Sequence, residues 1–271
     1  MPVLDYSVSY SLRMPTWNPA QYLKFAEERT RPCRDLVGSI ALDAPRRAID
    51  LGCGPGNSTQ VLAGRWPDAD LTGLDTSAEM LEAARRAQPG RRWVQDDVAR
   101  WAADGGDGAF DLVFSNCTLQ WVPEHAVVYP QLLARVAAGG ALAVQIPSPG
   151  VSRRIEREMA ASAAWRRWFP AGRLATWHAH EPPFYYDLLA PRAARVDLWE
   201  TEYFHVMPDA DAIVEWYQGT GLRPYLEAIG DPADRERFLE EYREGIRAAY
   251  PQRSDGRVLF PFRRIFAIAY R

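Results

Sequence analysis

Residues 48–59 read Ala-Ile-Asp-Leu-Gly-Cys-Gly-Pro-Gly-Asn-Ser-Thr, and no other stretch of the chain restricts the fold as strongly. A short apolar run carrying Asp50 ends in Gly52, Gly54 and Gly56. Glycine adopts positive φ and brings backbone close to a ligand without a Cβ in the way. Ser58 and Thr59 suit the first turn of a helix, where free N–H groups gather. A strand, a tight turn and a helix in that order predict a small ligand over the carboxyl edge of a parallel sheet, at a topological switch point.

A dinucleotide-binding loop reads G-x-G-x-x-G and seats a pyrophosphate on the helix N-terminus. Here the spacing is G-x-G-x-G, with Asp50 two residues ahead of the first glycine. A carboxylate there repels pyrophosphate and suits a cationic amine. The methionyl end of S-adenosylmethionine, with its ammonium beside a sulfonium, meets that requirement. The next apolar run, Leu71 to Asp75, ends in an acid about 20 residues beyond Gly56, the offset of a carboxylate that holds ribose hydroxyls. Thr76-Ser77-Ala78-Glu79 then reads as a capping box opening a helix to Ala87.

Strands and helices alternate through the first half of the chain. Expected strands are Arg47–Leu51, Leu71–Asp75, Arg92–Gln95, Phe110–Ser115 and Ala141–Ile146, with helices Thr59–Trp66 and Ala78–Ala87 between the first three. Such βα repeats make a doubly wound parallel sheet. Ahead of them, 21–29 has helical spacing, Pro32 is expected to kink or restart it, and 36–40 continues it. Later come a basic helical segment, 152–168, a strand at Val196–Val206, a helical block at 210–250 and a last strand at Val258–Tyr270. The two late strands are expected as the sixth and seventh of the sheet, split by a helical insertion. The organisation is thus a helical lid over 1–45, a cofactor-binding core over 46–150, and helical cap insertions plus the last two strands over 151–271.

Asp96 and Asp97 follow the third strand; Asp97 is placed to accept from an adenine amino group, with the backbone N–H of Val98 beside it. Trp121, in a loop after the fourth strand, could set its face against a sulfonium. The net charge of −3 comes without blocks of like charge, so neither nucleic acid nor an anionic membrane is an expected partner. No run of ~18 apolar residues and no basic-then-apolar leader is seen, giving an expectation of a cytoplasmic protein without membrane spans. Cys33, Cys53 and Cys117 are too scattered for a disulfide framework or a zinc site and read as small buried residues. No metal centre is expected.

Asp50–Thr59, Gly73-Leu-Asp75 and Leu119-Gln-Trp-Val-Pro123 together resemble the class I S-adenosylmethionine-dependent methyltransferases. A narrower likeness runs from about residue 16 to the C-terminus. It is carried by Trp17-Asn-Pro19, Tyr22-Leu23, Glu28–Pro32, Ala143–Pro147, Tyr185–Leu189, Val196–Trp199, Thr220–Pro224 and Phe260–Arg264, and it resembles the trans-aconitate 2-methyltransferase family. One departure is the segment after Pro147, Ser148–Arg154, where that family shows Asn, an aromatic, an acid, proline and histidine.

The resemblance implies a Rossmann-like sheet of seven strands, mostly parallel, with a helical cap. It implies methyl transfer to a carboxylate oxygen of a small anionic acceptor, without a general base, because carboxylates are already ionised at neutral pH. The loop after the fourth strand, from Asn116, lacks the Asn-Pro-Pro-aromatic pattern of enzymes that methylate adenine or amide nitrogen. The implied cofactor set is Asp50, Gly52, Gly54, Gly56, Asp75, Thr76, Asp97, Val98, Asn116 and Trp121. The implied acceptor set is Tyr22, Arg29, Arg31, Gln120, Gln145, Tyr186, Arg223 and Arg263. Arginine is the residue type for bidentate carboxylate recognition. Neighbours Arg263 and Arg264 on one strand cannot both face a pocket, and Arg263 is the one assigned. His205 lies on an alternating apolar strand and reads as a satisfied structural histidine. Two alternatives stay open: another small O-, N- or C-acceptor, and a protein that binds S-adenosylmethionine without turnover.

Overall fold

The structure, a computed structural model, describes residues 24–104, 109–151, 167–169 and 177–271. Tyr22 and nearly all of the 152–168 segment lie outside the described residues. Strands β1 (Arg47–Leu51), β2 (Asp70–Asp75), β3 (Arg92–Gln95), β4 (Phe110–Asn116), β5 (Val136–Pro147), β6 (Arg195–Met207) and β7 (Val258–Tyr270) form one seven-stranded sheet. Its order is β3-β2-β1-β4-β5-β7-β6. The pairs from β3 to β5 are parallel, and β7 runs antiparallel to both β5 and β6. Strand order reverses between β1 and β4, which opens a crevice at their carboxyl ends.

Each strand expected from the sequence is present. β5 extends upstream to Val136 because Gly139, at φ 80, turns the backbone at a register shift against β4. The late strands pair in register from Arg195↔Tyr270 to Met207↔Val258 although a helical block separates them in sequence.

Helix α1 (Ala26–Ser39) runs as one element through Pro32, where a kink or restart was expected. Proline in a helix interior costs a hydrogen bond and a clash, and here Cys33, Leu36, Val37 and Ile40, all buried under the sheet, offset it. Helices α2 (Asn57–Arg65) and α3 (Ala78–Ala87) follow β1 and β2. The N-cap of α3 is Ser77, whose Oγ accepts from Met80 N, one position later than the expected box. Helices α4 (Val98–Ala103), α5 (His125–Ala134) and α6 (Pro182–Leu189) complete the layer packed with the β4–β5 face. Helices α7 (Ala210–Gln218), α8 (Arg223–Ala228) and α9 (Pro232–Ala249) build a separate aromatic core on the first half of β7. Among the described residues, no helix is long and apolar enough to cross a membrane.

Candidate active site

The loop after β1 holds three alternate left-handed glycines, at φ 69, 54 and 92 for Gly52, Gly54 and Gly56. Its N–H groups are spent internally. Gly52 and Cys53 donate to Leu74 O, Gly56 to Cys53 O, and Gly54 to Asp75 Oδ2 at 2.9 Å. None of these four is left for a pyrophosphate.

Asp50 is 1% exposed, and its Oδ2 accepts from both Ser58 Oγ and Thr59 Oγ1 at 2.6 Å. The two hydroxyls therefore serve the carboxylate rather than capping α2, which has no side-chain cap. Asp50 Oδ1 is buried without a partner. Burial raises this carboxyl to about 6, against the two hydroxyl bonds that lower it. An orphaned carboxylate oxygen behind a loop with no N–H to give is complementary to a cation, so these residues fit the ammonium end of S-adenosylmethionine.

Asp75 closes the loop from the other side, its Oδ1 accepting from Ser77 N at 2.9 Å. Burial raises its pKa, opposed by those backbone N–H groups. Thr76 lies beside it, half-buried. Asp96 and Asp97 lie past the end of β3, in the loop to α4 rather than on the strand. Asp97 is exposed and caps α4 through Arg100 N, Asp96 pairs with Arg100, and Val98 is buried.

The β4 loop approaches the glycines directly. Thr118 Oγ1 donates to Gly52 O at 3.2 Å. Leu119–Trp121 form a single 3-10 turn held by His125, whose Nε2 faces Leu119 O at 2.8 Å. A carbonyl only accepts, so Nε2 carries the proton and Nδ1 accepts from Tyr185 Oη at 3.0 Å. Tyr185 Oη in turn accepts from His180 N. Burial lowers the His125 pKa to about 4, keeping it neutral. Trp121 meets Trp177 edge-on at 5.8 Å. Gln120 is buried, with Nε2 donating to Cys117 O and Oε1 unpartnered. Asn116, at the end of β4, also has a buried, unpartnered Oδ1.

A cationic cluster lies on the β5–β7–β6 side. Arg264 is 1% exposed, and its Nη1 donates to Cys117 Sγ at 2.8 Å and to Gln145 Oε1 at 3.4 Å. The Cys117 thiol also donates to Gln145 Oε1 at 3.1 Å. Arg264 stands 4.6 Å over Phe262 and 5.9 Å over Tyr203. Arg31 comes from α1 to 5.3 Å over the same Tyr203, whose hydroxyl donates to Asp35 at 2.6 Å. Arg29, also on α1, stacks 4.4 Å over Trp216, the ring against which His205 packs at 5.1 Å. Burial, then Arg264, Arg31 and Arg29, lower the His205 pKa to about 3. Its Nε2 is buried and unpartnered, so His205 is not the satisfied histidine expected from the sequence.

Of the expected acceptor residues, Arg29, Arg31 and Gln145 are brought together here. Gln120 lies nearby through Cys117. Strand alternation turns Arg263 outward, half-exposed and 3.8 Å from Glu202, and turns its neighbour Arg264 inward. Tyr186 is 51% exposed, while its neighbour Tyr185 is buried. Arg223 lies at the start of α8, 3.6 Å from Glu227, its pKa lowered by burial. Cys117 and Arg264 were not in the expected set. Arg264 shares the strand face of Phe260, Phe262 and Phe266, all buried, and that parity was readable; nothing local marked Cys117.

A sequence model of a methyltransferase domain matches residues 48–140. Trans-aconitate 2-methyltransferase of Azoarcus sp. strain BH72 is 50% identical over 95% of this chain and all of its own length. The enzyme of the same name from Methylobacterium radiotolerans is 49% identical over 94% of this chain and 98% of its own. Among solved structures, the YcgJ protein of Bacillus subtilis superposes with a TM-score of 0.56 at 13% identity, over 89% of this chain and 99% of its own. Haemonchus contortus phosphoethanolamine N-methyltransferase 2, solved with S-adenosyl-L-methionine, gives 0.54 at 12% identity, over 93% of this chain and 56% of its own. At such identities these structures share the fold alone.

Proposed function

Because this chain belongs to the trans-aconitate 2-methyltransferase family, we propose that it methylates a carboxylate oxygen of trans-aconitate, giving the monomethyl ester. The protein is an S-adenosylmethionine-dependent methyltransferase. When bound, the cofactor supplies a sulfonium methyl whose C–S electron pair leaves with sulfur as the carboxylate oxygen forms the new O–C bond. No proton moves, and the acceptor is already ionised at neutral pH. The protein's part is therefore positioning and desolvation.

The observation that carries this reading is the pairing of opposite polarities in one crevice. Asp50 offers a buried oxygen to a cation on the β1 side, and Arg264, Arg31 and Arg29 gather on the β5–β7–β6 side. Gly52, Gly54, Gly56, Asp75, Thr76, Asp97, Val98, Asn116 and Trp121 complete the proposed cofactor set. Arg29, Arg31, Gln120 and Gln145 serve the acceptor. Three unpaired cysteines among the described residues agree with a reducing compartment, and we place the enzyme in the cytoplasm.

The test is S-adenosylhomocysteine release from purified protein with trans-aconitate, cis-aconitate, citrate or isocitrate as acceptor. Saturable turnover selective for trans-aconitate is expected. Selective turnover of another acceptor, or binding of S-adenosylmethionine without turnover of any of the four, would overturn the assignment.

A further inference from the structure

We propose that Arg264 is the anchor for a carboxylate of the acceptor that is not methylated, with Gln145 and His205 as its fellow donors; this rests on the polycarboxylate reading above. Among the described residues, Arg264 is the largest fully buried side chain. Its hydrogen-bond partners, a thiol and an amide oxygen, are neutral, and no carboxylate lies within ion-pair distance of it among the described residues. Its Nε is buried and makes no hydrogen bond. A guanidinium withdrawn from water and left unneutralised is costly to the fold, which is the signature of a group whose counter-ion arrives with the ligand.

The surrounding polar atoms agree in sign. Gln145 is oriented by Arg264: its oxygen faces the guanidinium, so its Nε2 faces elsewhere, buried and unpartnered. His205 Nε2 is likewise buried and unpartnered. The ring is held neutral by burial and three arginines, so it carries one N–H to give rather than a second charge. Buried donors in surplus call for a ligand that only accepts, as an ionised carboxylate does.

The same geometry separates this anchor from the reacting oxygen. An oxygen gripped by a guanidinium holds its lone pairs poorly available for attack on the methyl carbon. On the β1 side the unpartnered buried oxygens are acceptors, Asp50 Oδ1 and Gln120 Oε1, and Gln120 is oriented by its bond to Cys117 O. Cys117 stands between the two regions: its backbone adjoins Thr118, which touches Gly52, and its sulfur touches Arg264. An acceptor with two or more carboxylates can span them, one group anchored and another free to react. A monocarboxylate cannot.

The test is calorimetric titration of trans-aconitate and of propane-1,2,3-tricarboxylate into protein loaded with S-adenosylhomocysteine, for the wild type, Arg264→Gln and Arg264→Lys. Wild type should bind both, Arg264→Gln should weaken each at least tenfold without altering S-adenosylhomocysteine affinity, and Arg264→Lys should fall between. In turnover, Arg264→Gln should raise KM for trans-aconitate far more than it lowers kcat, and should collapse the preference for trans-aconitate over crotonate. Arg264→Gln binding within twofold of wild type overturns the anchor, even if trans-aconitate is turned over. Arginine-dependent tricarboxylate binding without trans-aconitate turnover sinks the assigned acceptor and leaves the anchor standing. If Arg264→Gln does not fold, wild-type competition decides: propane-1,2,3-tricarboxylate should inhibit and butyrate should not, and equal inhibition overturns the proposal.

Discussion

Thr118 and Gly52 are in such close contact that a Cβ added to Gly52 would lie 2.1 Å from Thr118 Oγ1. A Cβ added to Gly54 would meet open space, so its cost is only that of the positive φ, 54° there and 69° at Gly52, that both positions require. Gly54→Ala therefore carries backbone strain of about 1–3 kcal/mol, whereas Gly52→Ala adds a collision between the β1 and β4 loops. The Gly52 variant should melt several degrees below the Gly54 variant. Equal melting temperatures would show that Thr118 yields freely.

Cofactor affinity should weaken in acid. Asp50 titrates at about 6 because it is buried, and an ammonium against its free oxygen favours the ionised form. The bound pKa is thus the lower one, so affinity is full above pH 6 and is lost as pH falls below it. One proton is displaced, so the calorimetric Kd for S-adenosylmethionine at pH 5 should be roughly tenfold that at pH 7. A flat profile would remove Asp50 from the ammonium.

Tyr185→Phe should loosen the Leu119–Trp121 turn. It leaves His125 Nδ1 buried without its donor and His180 N without its acceptor. A lost partner of this kind costs about 1–3 kcal/mol, or roughly 2–4 °C per kcal/mol at this size. Thermal melting checks it, and an unchanged melting temperature would mean water replaces the hydroxyl.

Stability should fall from neutral pH into acid. His125 and His205 are held at about 4 and about 3 in the fold, burial being the main cause for each, against about 6.5 unfolded. Their contribution is complete above pH 6.5 and declines toward those folded values, at about 1.4 kcal/mol per pH unit each. Asp50 acts oppositely, taking a proton near 6 in the fold but only near 4 unfolded, and Asp75, also raised by burial, acts in the same sense, so below pH 6 the two carboxyls offset part of the histidine contribution. Urea midpoints between pH 7.5 and 4.5 should decline accordingly, and a midpoint that rises into acid would contradict both histidine environments.

The sheet was legible because β1, β2, β4 and β5 are short apolar runs buried on both faces, as parallel strands are, with Gly52 just after β1 and Asp75 ending β2. The glycine loop was legible because positive φ at Gly52, Gly54 and Gly56 demands glycine. The acceptor side was half legible. Arg29 and Arg31 were in view as residue types, but only tertiary packing carries α1 over Tyr203 and Trp216. Pro32 misled because its local cost is outweighed by the burial of Cys33, Leu36, Val37 and Ile40 against the sheet, a contact that only the tertiary fold supplies. Strand parity separates the two neighbouring arginines: the odd positions Leu259 and Arg263 are exposed, while Arg264 shares the inward face of the even aromatic positions.

The antiparallel course of β7 has a consequence for how the enzyme comes into being. Strands β1 to β4, with the whole glycine loop, leave the ribosome first, but Arg264 arrives within the last strand and pairs back onto Pro147 of β5. A nascent chain can thus complete its glycine loop before Arg264 is in place, so the proposed acceptor anchor is assembled only once β7 has paired back onto β5.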